Sequence, residues 1–272
     1  MKCSSMIGGV LSIALATAAS AQWSDNFDSY ADGTLLDNVN GWAGWDDDSS
    51  MAATVTSERS RSGPHSAAVG NGGSDAVRLY SGYTSGQWVY TAHVYIPSDL
   101  DGITYFILNN EYNHGGPYDW AVEIDMDPAT GTAREVFRDP GDTMSAPLVY
   151  DQWVEIRVEF DLDANTSDVY YNGAHIGTGP WDAYSGSGIL ELAALDLYAP
   201  HGATVYWDDL SLERAGGGCI GDFDGNGVVD TRDVIAFLNA WNAGDASSDC
   251  DGNGVIDTRD VICFLNAWNA GC

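Results

Sequence analysis

The chain has almost no lysine and little positive charge of any kind. Its 272 residues hold ten basic against forty acidic side chains, a formal net charge of −30. The one lysine is Lys2, and every other cation is an arginine. This balance argues against nucleic acid and anionic membrane as partners, since both are bound through neutralised phosphates. Long apolar runs are missing as well, and none approaches the roughly 20 residues of a membrane span. Cysteine is absent from residues 22–213, which excludes a cysteine nucleophile there. The histidines, His65, His93, His114, His175 and His201, are scattered, with no H-x-x-x-H pair or triad spacing. Gly177-Thr178-Gly179-Pro180 reads as a turn and not a phosphate loop, because no helix follows it.

What is present belongs to a folded protein. At 44% hydrophobic and 11% aromatic the chain is too apolar for acidic disorder. Lys2, an apolar run over 7–16 and Ala19-Ser20-Ala21 form the three parts of an export signal. Residues 1–21 are therefore expected to be cleaved, and the protein to be secreted to the medium or the cell surface. Beyond Cys3, the four cysteines Cys219, Cys250, Cys263 and Cys272 cluster at the C-terminus. No C-x-x-C pair and no histidine beyond His201 support zinc, so two disulfides are the preferred reading. Four cysteines allow three pairings; Cys219–Cys272 with Cys250–Cys263 is favoured.

Composition breaks at a glycine-rich linker over 214–218, which separates a region over 22–213 from a tail over 219–272. The first region is all strands. Aromatic and β-branched runs over 88–96, 103–108, 120–127, 153–162, 168–171, 189–198 and 204–212 alternate with Gly, Pro, Asn and Asp turns. Without crossover helices a parallel α/β fold is excluded, and an all-β sandwich is expected. Asn165-Thr166-Ser167 fits a glycosylation sequon but reads better as a hairpin turn. Three segments carry a resemblance. They are Asp25-Asn26-Phe27-Asp28-Ser29-Tyr30-Ala31-Asp32-Gly33 leading to Trp42, the hairpin over 153–160 continuing to Tyr170-Tyr171-Asn172-Gly173, and the closing Tyr206-Trp207-Asp208-Asp209-Leu210. Together they resemble concanavalin-like, laminin-G-like jelly rolls.

The tail repeats with a period of 27 residues. Asp222-Phe223-Asp224-Gly225-Asn226-Gly227-Val228-Val229-Asp230-Thr231-Arg232-Asp233 aligns with Asp249-Cys250-Asp251-Gly252-Asn253-Gly254-Val255-Ile256-Asp257-Thr258-Arg259-Asp260. Side-chain oxygens at loop positions 1, 3, 5, 9 and 12, with glycine at 6, match the EF-hand calcium scheme, in which position 7 offers a backbone carbonyl. The expected ligands are Asp222, Asp224, Asn226, Val228, Asp230 and Asp233, then Asp249, Asp251, Asn253, Val255, Asp257 and Asp260. After each loop, Val234, Ile235, Phe237, Leu238 and Trp241, and then Val261, Ile262, Phe264, Leu265 and Trp268, recur at helical steps. Two such helices are expected to bury these stripes against each other.

Aspartate at position 12 and the lack of a helix before either loop make the tail resemble a type I-like dockerin. Its terminal Gly271-Cys272 matches a subtype that anchors bacterial secreted proteins. The resemblance implies two calcium ions and a cohesin or cell-envelope anchor as partner, recognised through Thr231, Arg232, Thr258 and Arg259. Thr231 and Thr258 are also placed to cap their helices.

For the first region two functions are open, with a structural or adhesive surface role as a third. Its many aromatics, among them Tyr112, Tyr118, Trp181 and Tyr184 in loop settings, suit stacking against polysaccharide. Alternatively, Glu123, Asp125 and Asp127 share one strand face, which resembles the Glu-x-Asp-x-Glu strand of retaining glycosidases. That resemblance makes Glu123 the nucleophile, Asp125 its positioner and Asp127 the acid/base. A third calcium ion, held by Asp25 with Asp208 or Asp209, is a further expectation.

Overall fold

The computed structural model describes residues 23–70, 73–138, 144–215, 220–224, 229–251 and 254–271. The expected export signal and the Cys219–Cys272 pairing lie outside these residues. Strands come first: β1 (Trp23–Asp25), β2 (Trp42–Gly44), β3 (Thr54–Thr56), β4 (Ser66–Val69), β5 (Ser74–Leu79), β6 (Gln87–Tyr95), β7 (Thr104–Tyr112) and β8 (Tyr118–Asp127). Then follow β9 (Thr132–Glu135), β10 (Ser145–Pro147), β11 (Trp153–Asp161), β12 (Thr166–Tyr171), β13 (Ala174–Gly179), β14 (Ala194–Ala199) and β15 (Val205–Arg214). Two helices close the chain, α1 (Thr231–Ala243) and α2 (Thr258–Ala270).

The strands form two antiparallel sheets packed face to face. One runs β13-β12-β11-β6-β15-β4-β3, with β1 beside the second half of β15; the other runs β10-β9-β8-β7-β14-β5-β2. Alternation decides which side chains meet between them. On β11 Val154, Ile156, Val158 and Phe160 point inward, and on β8 Val122, Ile124 and Met126 do. Trp42, Trp88, Trp181 and Trp207 are all fully buried in this core. Residues 177–179, expected as a turn, belong to β13, where Gly177 lets Glu135 approach. Asn165 does turn a hairpin, at φ 53°, between β11 and β12.

In the tail, Phe237 of α1 and Phe264 of α2 stack with centroids 4.2 Å apart and planes 4° from parallel, and Phe223 packs edge-on to both. Cys250 and Cys263 form a disulfide.

Candidate functional site

Two acidic loops lie at the starts of α1 and α2. One carboxylate oxygen from each of Asp222, Asp224 and Asp233 falls within 4.8 Å of the others, and Asp249, Asp251 and Asp260 repeat the arrangement. Helix capping produces it. Asp230 is the N-cap of α1 and accepts from the Arg232 N–H at 2.7 Å, while Asp233, three residues on, accepts from the Asp230 N–H at 2.7 Å. The other Asp233 oxygen accepts from the Asp224 N–H at 3.0 Å, which draws the loop's entrance onto its exit. In the second loop Asp260 accepts from Asp257 N–H at 2.7 Å and Cys250 N–H at 2.9 Å. Asp233 and Asp260 are fully buried.

Three carboxylates this close repel one another, and a hard oxygen set of this kind fits calcium. Of the other expected ligands, Asn226, Val228 and Asn253 lie outside the described residues, and Val255 is exposed on its loop. Asp230 and Asp257 stand outside the triads. Their carboxylates cap the helices and engage Arg232 and Arg259. The capping role expected of Thr231 and Thr258 thus falls one residue earlier, and both threonines are exposed at the first helical position.

The helices are clasped across the repeat. Trp241 donates its indole N–H to the Asp257 carbonyl at 2.8 Å, and Trp268 donates to the Asp230 carbonyl at 2.7 Å. Three of the five residues in each expected stripe are covered. Val234, Phe237 and Trp241, with Val261, Phe264 and Trp268, meet in the tail core. Ile235 and Ile262 stay 60% exposed and Leu238 and Leu265 43% exposed, because a lone helix pair covers one narrow strip on each helix. Arg232 and Arg259 are exposed at the starts of the same two helices.

A second gathering of functional groups lies on the outer face of the β8-containing sheet. Glu123, Asp125 and Asp127 alternate onto this face, and a bulge at Ala121 brings Tyr118 and Trp120 to the same side. Register sets Glu123 of β8, Ile107 of β7, Asp196 of β14 and Val77 of β5 in one row. Asp125, Tyr105, Tyr198 and Asp75 make the next. Aromatic rings frame the acids. Tyr105 stacks on Tyr198 at 5.3 Å, Trp45 packs on Tyr112 and Tyr118 at 4.7 and 4.8 Å, and Trp120 meets Tyr184 at 5.0 Å.

Burial, with the charges of Asp125 and Glu135, pushes the Glu123 carboxyl up to about 7 against the opposing pull of Arg134. Burial also raises Asp75, to about 6, and Asp196, with a neighbouring carboxylate lifting each further, Asp46 for Asp75 and Asp75 for Asp196. Asp125 is paired with Arg134 at 3.2 Å, and Asp127 accepts from the Ala129 N–H at 2.8 Å in the turn that ends the strand. Sequence reasoning missed Asp75, Asp196 and Trp45. Asp196 lies in the strand run over 189–198 and Trp45 among the aromatics without a site being read there, while the alternation Asp75-Ala76-Val77 is too short to mark a strand.

Among the loop aromatics, Tyr184 is 56% exposed as expected and Tyr118 is half-buried. Trp181 and Tyr112 are buried. Trp181 stacks on Phe160 at 4.2 Å and donates to the Glu191 carbonyl, so it plugs the core. Asp25, Asp208 and Asp209 are drawn into hydrogen bonds. Asp25 accepts from Phe27 N–H, Tyr30 and Trp42, Asp208 from the Arg61 and Ser62 N–H groups, and Asp209 pairs with the Arg61 side chain. Among the described residues no third group of three metal-capable side chains comes together.

No protein-family model matches the chain, and no curated protein matches its sequence. Solved structures do match. A sialidase aligns with TM-score 0.47 and 11% identity over 84% of this chain and 21% of that one. Carbohydrate-binding module CBM66 from Bacillus subtilis aligns with TM-score 0.41 and 12% identity over 66% and 99%. The cellulose-induced protein Cip1 aligns with TM-score 0.42 and 17% identity over 70% and 96%. Sialidase from Trypanosoma rangeli is matched over 27% of its length, so the chain spans about a quarter or less of these sialidases.

Proposed function

We propose that this is a secreted protein whose tail folds around two calcium ions and docks the β-sandwich to a cohesin-bearing scaffold or cell surface. The observation that carries the proposal is the duplicated Asp triad, each closed by its own helix cap. Calcium would neutralise Asp222, Asp224 and Asp233 in one loop and Asp249, Asp251 and Asp260 in the other. The binding energy would then hold the helices. The exposed residues Arg232, Ile235 and Leu238 on α1, and Arg259, Ile262 and Leu265 on α2, give the tail two equivalent faces for a partner. Titration calorimetry with a cohesin panel tests this. Binding should need calcium and should survive loss of either apolar pair alone. It should vanish when Ile235, Leu238, Ile262 and Leu265 are all changed to Ser. Binding that is unaffected by EDTA contradicts the docking role.

The sandwich is proposed to bind polysaccharide on the outer face of the β8-containing sheet. Flat rings of Trp45, Tyr118, Trp120 and Tyr184 suit the C–H faces of sugars, and the carboxyls between them suit sugar hydroxyls. With Arg134 the one arginine among these rows and acids on either side, uncharged glycans are favoured over sulfated ones or uronates. Trp120→Ala with Tyr184→Ala should abolish retention on neutral glycan columns; retention on heparin equal to that on β-glucan contradicts the choice of ligand.

A second reading, glycoside hydrolysis, is favoured by Glu123 alone. A carboxyl that keeps its proton near neutrality suits the general acid better than the nucleophile. Reducing ends released by the native protein and not by Glu123→Gln would establish it, and no release on any glycan would dismiss it.

A further inference from the structure

The two ion loops are closed by different means. Loop position 2 is Cys250 in the second repeat and Phe223 in the first, 27 residues earlier. Cys250 is tied to Cys263 of α2 by the disulfide, whereas the counterpart of Cys263 in α1 is Ala236. The first loop thus lacks the covalent tie from its entrance to its helix. A contact from the sandwich stands in its place. Arg214, the last residue of β15, lays its guanidinium over the Phe223 ring at 4.0 Å and donates to the Phe223 carbonyl at 2.6 Å. The same guanidinium lies 5.2 Å from the ring of Trp88, which is fully buried in the sandwich and held by its N–H to the Ser85 carbonyl.

We propose that the sandwich closes the first calcium loop through Arg214, so that the two calcium sites are unequal. Arg214 is the positioning residue. Phe223 lies between Asp222 and Asp224, and holding its carbonyl sets the backbone that aims both carboxylates. A loop gathered in advance loses less conformational freedom when the ion enters. Burial lowers the Arg214 guanidinium to about 10, which leaves it charged at neutral pH.

The second loop also meets the sandwich, just ahead of its ligands. Ala246 donates its N–H to the Gly82 carbonyl at 3.3 Å, and Asp245 accepts from the Thr84 and Ser85 hydroxyls at 3.3 and 3.1 Å. Gly82 has φ +84°, and a Cβ there would stand 2.8 Å from the Ala246 nitrogen, so glycine is required at this approach. These contacts seat the short turn Ala246–Ser248 before Asp249. The loop that follows has the disulfide.

The inference rests on the calcium reading above, and one experiment separates the two. The chain from Gln22 onward is titrated with calcium while NMR follows the Asp233 and Asp260 amides, one in each loop. Arg214→Ala should weaken the first site about tenfold and leave the second within about twofold, the scale of losing a hydrogen bond from a charged donor. Arg214→Lys, which keeps charge and donor, should restore most of the loss. Cys250→Ser with Cys263→Ser should reverse the pattern and weaken the second site alone. If Arg214→Ala does not fold, Arg214→Gln supports the same comparison. Equal shifts at both sites, or none at either, overturn the assignment of Arg214 while leaving the calcium reading intact. A native chain with no response at either amide overturns both.

Discussion

The tail and the outer face of the β8-containing sheet both gather carboxyl groups, to opposite ends. In the tail each triad converges within 4.8 Å, with backbone N–H groups aimed at Asp233 and Asp260 and a cap fixing each. On the sheet, burial raises Glu123 to about 7 and raises Asp75 and Asp196 as well. The tail's acids could hold a cation, whereas burial on the sheet favours the protonated form. Residue type does not distinguish them. What differs is whether the backbone points N–H donors at the carboxylate or the sheet packs apolar and like-charged neighbours around it.

The comparison can be broken at several points. The largest effect should come from EDTA. On the calcium reading proposed for the tail, it should remove the helical circular dichroism of α1 and α2 while the β signal of the sandwich persists. Next, Cys250→Ser with Cys263→Ser should lower tail stability by about 3 kcal/mol, the expected size for a closed loop of this length, read as an earlier helical melt in calcium. The bridge spans a sequence separation of 13.

A pH series sharpens the contrast. The Glu123 carboxyl rises from its ordinary 4.5 to about 7 on folding. The folded sandwich therefore binds more protons than the unfolded chain between those values. Its stability should fall as pH rises through that window and level off above it. Glu123→Gln should flatten the slope in a thermal melt. The smallest effect should be Trp241→Phe or Trp268→Phe. Each removes one hydrogen bond across the repeat and costs about 1 kcal/mol, and near-symmetry predicts equal losses on denaturant melts.

Much of this was legible in the sequence. The long aromatic strands stand where alternation placed them, β6 at Gln87–Tyr95 and β11 at Trp153–Asp161 among them. The short strands were not visible. Ser66–Val69 and Ser74–Leu79 are built partly from Ser, Ala and Asp, which have little strand preference of their own and pair because neighbours on the sheet hold them. That is also why Asp75 was missed at the sheet face. In the tail the loop spacing revealed the acids, but periodicity alone could not say that two of the five residues in each helix stripe stay exposed. The same ambiguity misplaced Trp181. A tryptophan in a glycine-rich loop looks solvent-facing until Phe160 is found beneath it.

The most direct test of the account is a calcium titration of the chain from Gln22 onward, with calorimetry and far-ultraviolet circular dichroism on the same samples. The account predicts two ions bound per chain and a gain of helix that tracks their binding and reverses in EDTA. Helical signal that is identical in EDTA and in millimolar calcium, with no heat of binding, would contradict it.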